Sequence, residues 1–312
     1  CPPGPEGAFD GYTRSLVPLN GMAPFFAEFC LETDGDRSGI FYGWFSSETR
    51  MRVALGVQYD GAAFLGWQAQ PAGVRTVQSS LELALSKVAD HPIKLVCAGR
   101  TDTGVHGVAQ VAHFDTHAMR SARSWLLGGN AHLPSDVSLN WVCEAPDDFH
   151  ARFSALTRRY RYLILNQPQR SALWWQRATW YYRPLDTDRM HTAGQALIGE
   201  HDFSAFRAAE CQARHPIREV LELTVQRRGD CVALEVEANA FLHHMVRNIA
   251  GVLLAIGAGD QPIEWAQEVL EQRDRTQAGV TAPADGLYLL VVRYPERFGF
   301  PISAMSHWGF ID

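Results

Sequence analysis

One order of elements occurs twice in this chain of 312 residues, and that repeat restricts the fold more than any other feature of the sequence. Val53–Tyr59 alternates apolar and polar side chains, as a strand does. Thr76–Ala89 sets Val77, Leu81, Leu85 and Val88 at helical spacing. Ile93–Ala98 predicts a strand, a glycine-rich loop follows, and Ala109–Phe114 predicts another strand. Ser121–Ala131 reads as a helix stopped by Gly128, Gly129 and Pro134, and Val137–Val142 as a strand. The order is β-α-β-β-α-β. It returns as strand Arg158–Leu165, helix Asp188–Ile198 with Asp186 or Thr187 as its cap, and a hairpin of Ile217–Gln226 and Cys231–Glu237. Helix Phe241–Ile256, an extra helix Pro262–Gln272 and strand Leu287–Val292 complete the second copy.

Two such units in tandem predict an α+β fold: two antiparallel sheets with helices on one face and a central cleft suited to a substrate. The expected boundaries are a poorly ordered extension at 1–50, a first α/β unit at 51–150 and a second at 151–312. The extension is inferred from Cys1-Pro2-Pro3-Gly4-Pro5, which fits neither helix nor central strand, and from turn-formers such as Asp34-Gly35-Asp36.

Composition narrows the function. Hydrophobic residues at 46% and charged residues at 20% describe a globular protein. No run of about 18 apolar residues occurs, so no membrane-spanning helix is expected. Six cysteines, at 1, 30, 97, 143, 211 and 231, include no C-x-x-C pair, which predicts reduced thiols and a cytoplasmic protein without a secretory signal. A net charge of -6 argues against a generally cationic nucleic-acid coat. All basic residues but Lys87 and Lys94 are arginines, however, and arginine suits bidentate contact with phosphate. A G-x-x-x-x-G-K-[ST] loop, a G-x-G-x-x-G turn and a G-x-S-x-G elbow are all missing, against nucleotide hydrolysis, nicotinamide chemistry and serine hydrolysis.

Three segments could carry chemistry. The densest is Ala98-Gly99-Arg100-Thr101-Asp102-Thr103-Gly104-Val105-His106-Gly107, longer than a hairpin tip requires. Its single Asp-Thr-Gly cannot supply the paired carboxylates of an aspartic protease. The second is the apolar helix Phe241–Ile256, where Arg247 needs a carboxylate partner once desolvated, and a functional aspartate across the cleft would serve. His243 and His244, if helical, point about 100° apart with no third ligand evident, so no metal site is expected. The third is Arg152, followed by Arg158-Arg159-Tyr160-Arg161-Tyr162, in which Tyr160 and Tyr162 share one strand face and Arg159 and Arg161 the other. That pattern suits either a nucleic-acid surface or an ordinary strand with a charged outer side.

Taken together, these segments resemble the tRNA pseudouridine synthase A (TruA) family. The residues that carry the resemblance are Tyr59-Asp60-Gly61 with Gly66-Trp67-Gln68, the segment from Ala98 to His106, Asn130-Ala131-His132-Leu133-Pro134, and Phe149-His150-Ala151-Arg152-Phe153-Ser154. Arg159-Tyr160-Arg161-Tyr162, His243-His244-Met245-Val246-Arg247-Asn248 and Gly286-Leu287-Tyr288-Leu289 complete it. Thr103 stands where many relatives have alanine, and residues 1–50 have no counterpart. The resemblance implies isomerisation of uridine to pseudouridine at positions 38 to 40 of the tRNA anticodon stem-loop, by a homodimer needing neither metal nor organic cofactor. It implies Asp102 as the catalytic aspartate, Tyr160 packing on the target base, Arg247 pairing with the aspartate and Arg100 helping to displace the base. The alternatives are a tRNA-binding relative without catalysis and an enzyme acting on another RNA position.

Overall fold

The computed structural model describes residues 50–301 apart from residue 72. The expected extension at 1–50 therefore falls, but for Arg50, outside the described residues. The first half contains β1 (Met51–Tyr59), α1 (Val77–Ala89), β2 (Val96–Cys97), β3 (His106–Thr116), α2 (Ala122–His132) and β4 (Val137–Ala145). The second contains β5 (Thr157–Asn166), β6 (Thr179–Tyr181), α3 (Thr187–Gln195), β7 (Gly199–Asp202), β8 (Ile217–Arg228), β9 (Cys231–Ala238), α4 (Met245–Gly257), α5 (Trp265–Gln272) and β10 (Leu287–Arg293).

The α+β architecture is as the sequence predicts, with one difference. The expected pair of sheets is a single ten-stranded sheet of order β4-β1-β3-β10-β5-β9-β8-β7, with β2 added on β3 and β6 on β5. The two halves meet where β10 runs parallel to β3, through the pairs Tyr288↔His106 and Leu289↔Gly107. All other pairings along that main path are antiparallel.

Local signals explain most boundaries. Thr76 starts α1 with a capping box: its Oγ1 accepts the Ser79 N–H while Ser79 Oγ accepts the Thr76 N–H, both at 3.2 Å. Asp186 is the cap of α3, accepting from the Asp188 and Arg189 amides. β2 is shorter than the expected Ile93–Ala98 because α1 takes its backbone donors. Ser86 Oγ accepts from Ile93 N at 2.9 Å, and buried Glu82 accepts from Leu95 N at 3.0 Å.

Alternation along the strands divides the core. On one face, Val53, Leu55 and Val57 of β1 join Leu81 and Leu85 of α1 and Trp125 of α2. Tyr160, Tyr162 and Ile164 of β5 join Ile249, Val252, Leu253 and Ile256 of α4. On the other face of β5, Arg159 stands opposite Glu237 and Arg161 opposite Glu235 of β9. Arg159 pairs with Glu222, Glu235 and Glu237, and Arg161 with Glu235. The charged-outer-side alternative therefore describes Arg159 and Arg161.

His113 of β3 is buried, and its Nδ1 accepts the Ala151 N–H at 3.2 Å. Burial, reinforced by nearby Arg52, lowers its pKa from 6.5 to about 4. Between those values the unfolded chain binds a proton that the folded chain does not. Stability should therefore fall as pH drops from 6.5 toward 4, His113 contributing on the order of 3 kcal/mol to the loss. Melting curves of wild type and His113→Gln across that range check this. The variant should show a shallower decline with pH, and equal slopes would assign the acid sensitivity elsewhere.

Candidate active site

Residues 98–105 link β2 to β3 and are pinned from three sides. Gln110, fully buried in β3, donates Nε2–H to Gly99 O at 2.6 Å. Tyr59 Oη lies 2.8 Å from Thr101 Oγ1, and Trp67 N–H donates to Thr101 O at 2.9 Å. The Trp67 contact depends on Gly66, whose φ is 83° and where an added Cβ would stand 2.9 Å from Thr101 O. The third restraint is Arg158. Its buried guanidinium meets no carboxylate; it donates to Ala98 O, Arg152 O, Ala155 O and Asn239 O at 2.6–3.3 Å. Burial lowers its pKa.

Asp102 stands at the tip of this loop with a side chain 26% exposed. Arg247 Nη1 lies 3.4 Å from its Oδ2, His244 Nε2 3.3 Å from the same oxygen, and His243 Nε2 3.2 Å from Oδ1. Arg247 is aimed by the segment that crosses α4. Its Nε–H donates to Ala282 O at 2.8 Å, while Ala282 N–H donates to Arg247 O at 3.1 Å. That crossing needs Gly251, because an added Cβ there would stand 1.9 Å from Val280 O.

The histidines correct two expectations. The helix starts at Met245 rather than Phe241, and His244 has a left-handed backbone, φ 62°. The 100° separation of successive helical side chains therefore does not apply to His243 and His244. Both rings turn toward Asp102, with centroids 4.0 Å apart. The signal that could have found them was their adjacency just ahead of an apolar helix.

Tyr160 lies on β5 between β9 and β10, 8% exposed, with its ring edge-on to Phe241 at 5.0 Å. An added Cβ on Gly99 would be 3.6 Å from its hydroxyl. Burial raises its phenol pKa, with Arg158 opposing the rise and the charge of Asp102 adding to it. Arg100 is exposed and makes no hydrogen bond or ion pair among the described residues. Of the expected residues, then, the structure pairs Asp102 with Arg247, sets the Tyr160 hydroxyl beside Gly99 of the same loop and leaves Arg100 exposed. His106 turns elsewhere. Its ring stacks on Tyr288 and its Nδ1 accepts from Gly61 N, beside a separate depression of about 260 Å³.

Geometry also divides the arginines of this region. Arg158, Arg159 and Arg161 are engaged within the protein, whereas Arg152 is exposed and has no carboxylate partner among the described residues. Arg158→Met should lower stability by about 2–4 kcal/mol, since buried carbonyls lose their donors, and should slow turnover by loosening Ala98. It should leave the salt dependence of RNA affinity unchanged. Denaturant melts and a salt titration check both, and a reduced salt slope would return Arg158 to phosphate contact.

The description "tRNA pseudouridine synthase" matches residues 56–154 and 193–295 of this chain. The tRNA pseudouridine synthase A of Methylococcus capsulatus is 57% identical over 255 residues, 82% of this chain and 94% of that protein. Those of Alcanivorax borkumensis and an Enterobacter species are 54% and 55% identical, covering 80% and 82% of this chain and 94% of each relative. Among solved structures, the archaeal box H/ACA sRNP Nop10-Cbf5 complex contains a chain aligned over 72% of this one and 59% of its own length. Its identity is 13% and its TM-score 0.30, too slight a likeness to bear on the site. The match to the family description and the identity to these relatives cover most of the chain, and it belongs to the tRNA pseudouridine synthase A family.

Proposed function

We propose that this protein isomerises uridine to pseudouridine in tRNA, at positions 38 to 40 of the anticodon stem-loop, with Asp102 as the catalytic aspartate. The observation that carries the reading is the Asp102–Arg247 pair, with Tyr160 beside the loop that bears Asp102, in a chain belonging to this family. In the reaction the bond from uracil N1 to the sugar C1′ breaks, the uracil turns, and C5 bonds to C1′. N1 gains a proton and C5 loses one, so the overall change is an isomerisation that consumes nothing. Asp102 is placed to act as a nucleophile on the sugar or on the base. Arg247 orients its carboxylate. Tyr160 offers a ring to the extruded base, whose unstacking costs a few kcal/mol. Arg100 helps to displace the base, and with Arg152 it offers uncompensated positive charge to phosphate.

The same reading takes the protein to be a cytoplasmic homodimer needing no metal or organic cofactor for turnover. Exposed Leu173, Trp175, Trp180 and Tyr182 give an apolar surface for subunit contact, and no helix among the described residues is long and apolar enough to cross a membrane. Residues 1–50 are an extension dispensable for catalysis.

Asp102→Asn should abolish pseudouridine formation while leaving tRNA affinity within a few-fold. Tyr160→Ala should cut turnover by more than tenfold with little change in the salt dependence of binding. Pseudouridine mapping on tRNA from cells lacking the gene and complemented with each variant tests the reaction and its position together. Activity of Asp102→Asn within tenfold of wild type would falsify the catalytic assignment.

A chain lacking residues 1–50 should retain activity within a few-fold on the same tRNA. A large loss in that truncated enzyme would show that the extension helps to form the site.

A further inference from the structure

We propose that Asp102, His243 and His244 form a three-ligand site for a zinc-type divalent cation, and that occupation of it shuts the enzyme off. The inference rests on the functional reading above only for its second half. Atoms bound about 2.0–2.2 Å from one tetrahedral ion are themselves about 3.3–3.5 Å apart. One ligand atom from each of the three residues lies within 4.8 Å of the others, and the two imidazole Nε2 atoms approach the carboxylate from its two oxygens at 3.2 and 3.3 Å, so a small shift of the rings brings all three to ligand distance of one ion. The three side chains are 26–36% exposed, so an ion can enter from solvent and a water can complete the tetrahedron. Two imidazoles and a carboxylate are a donor set for zinc, cobalt or nickel and a poor one for magnesium, which prefers oxygen ligands in an octahedron.

Each imidazole now directs Nε2 at the carboxylate. Binding a cation needs only that the ring proton sit on Nδ1, leaving a lone pair on Nε2, and a neutral ring can do so without gaining or losing a proton. Arg247, 3.4 Å from the carboxylate, opposes a second positive charge and sets affinity below that of a closed structural zinc site. A carboxylate oxygen bound to the cation cannot attack uridine, so the metal acts as a reversible competitor of substrate rather than as a cofactor.

The test is a titration of Co²⁺ into the full chain stripped of metal by chelator, followed by visible ligand-field absorption. One equivalent should bind with the spectrum of a four- or five-coordinate site. His243→Asn, His244→Asn and Asp102→Asn should each weaken binding by roughly tenfold or more. Protection from histidine acylation, mapped by mass spectrometry on the unsubstituted chain, needs no variant to fold. Zn²⁺ should shield His243 and His244 and leave the other histidines reactive. Absence of binding, or protection confined to other histidines, overturns the site. In the second arm, Zn²⁺ should suppress pseudouridine formation, a chelator should restore it, and Mg²⁺ should have no such effect. Full turnover with the site saturated overturns the competition. Cobalt binding at these residues in a chain that modifies no tRNA under any condition would instead leave the metal site standing and remove the proposed function.

Discussion

Two residue pairs hold the molecule's chemistry in place. β3 and β10 are parallel neighbours through Tyr288↔His106 and Leu289↔Gly107, and this short seam makes one sheet of two halves. Asp102 is supplied by the loop entering β3, and Arg247, His243 and His244 by the start of α4. Their approach to within 3.2–3.4 Å requires that the two half-sheets not slide. The seam alone is too short to guarantee that. Arg158 adds a second tie, its guanidinium joining Ala98 ahead of the catalytic loop to Asn239 beyond β9. A buried arginine bonded only to carbonyls is costly in isolation. Here every contact goes to backbone, whose position is fixed by the sheet.

The strand and helix order was legible because each element carries its own period. What escaped was settled by partners far away in sequence. β2 shrank because Ser86 and Glu82 took backbone donors that a sheet neighbour would otherwise have used. β6 and β7, at three and four residues, are too short for a period to be read. Joining the half-sheets is a property of the edges of β3 and β10, and alternation of side chains says nothing about which edge pairs with which.

Within the site, Asp102 and Arg247 could be read ahead of the structure because their types and surroundings are unusual: a carboxylate in a glycine-rich loop and a cation on an apolar helix. Arg158 could not, since alternation put it on the tyrosine side of β5 without saying what it would meet there. Arg159 and Arg161 show the reverse. The matching Glu235-Val236-Glu237 on β9 was present in the sequence, and only the strand register converts it into ion pairs. Charge that is neutralised across a sheet is lost to RNA, so an acidic protein of this kind must bind phosphate with the few arginines its own acids leave alone.

The surroundings of Asp102 impose a requirement on turnover. A carboxylate has about four lone-pair positions. Three side-chain nitrogens lie within 3.4 Å of its oxygens, and one of them, Arg247 Nη1, donates a hydrogen bond. A group held against a lone pair lowers its reactivity, so on the proposed mechanism attack on a nucleotide requires some of these contacts to be given up. The three are not equally replaceable. Arg247 is tethered to Ala282 and sits on a regular helix, with a side chain 16% exposed. His243 and His244 precede that helix on irregular backbone and are 36% and 28% exposed. On the proposed mechanism, the incoming uridine would therefore displace the imidazoles and keep the guanidinium. That mechanism leaves the histidines beside the carboxylate in the resting state and gives the arginine the task of holding it during attack.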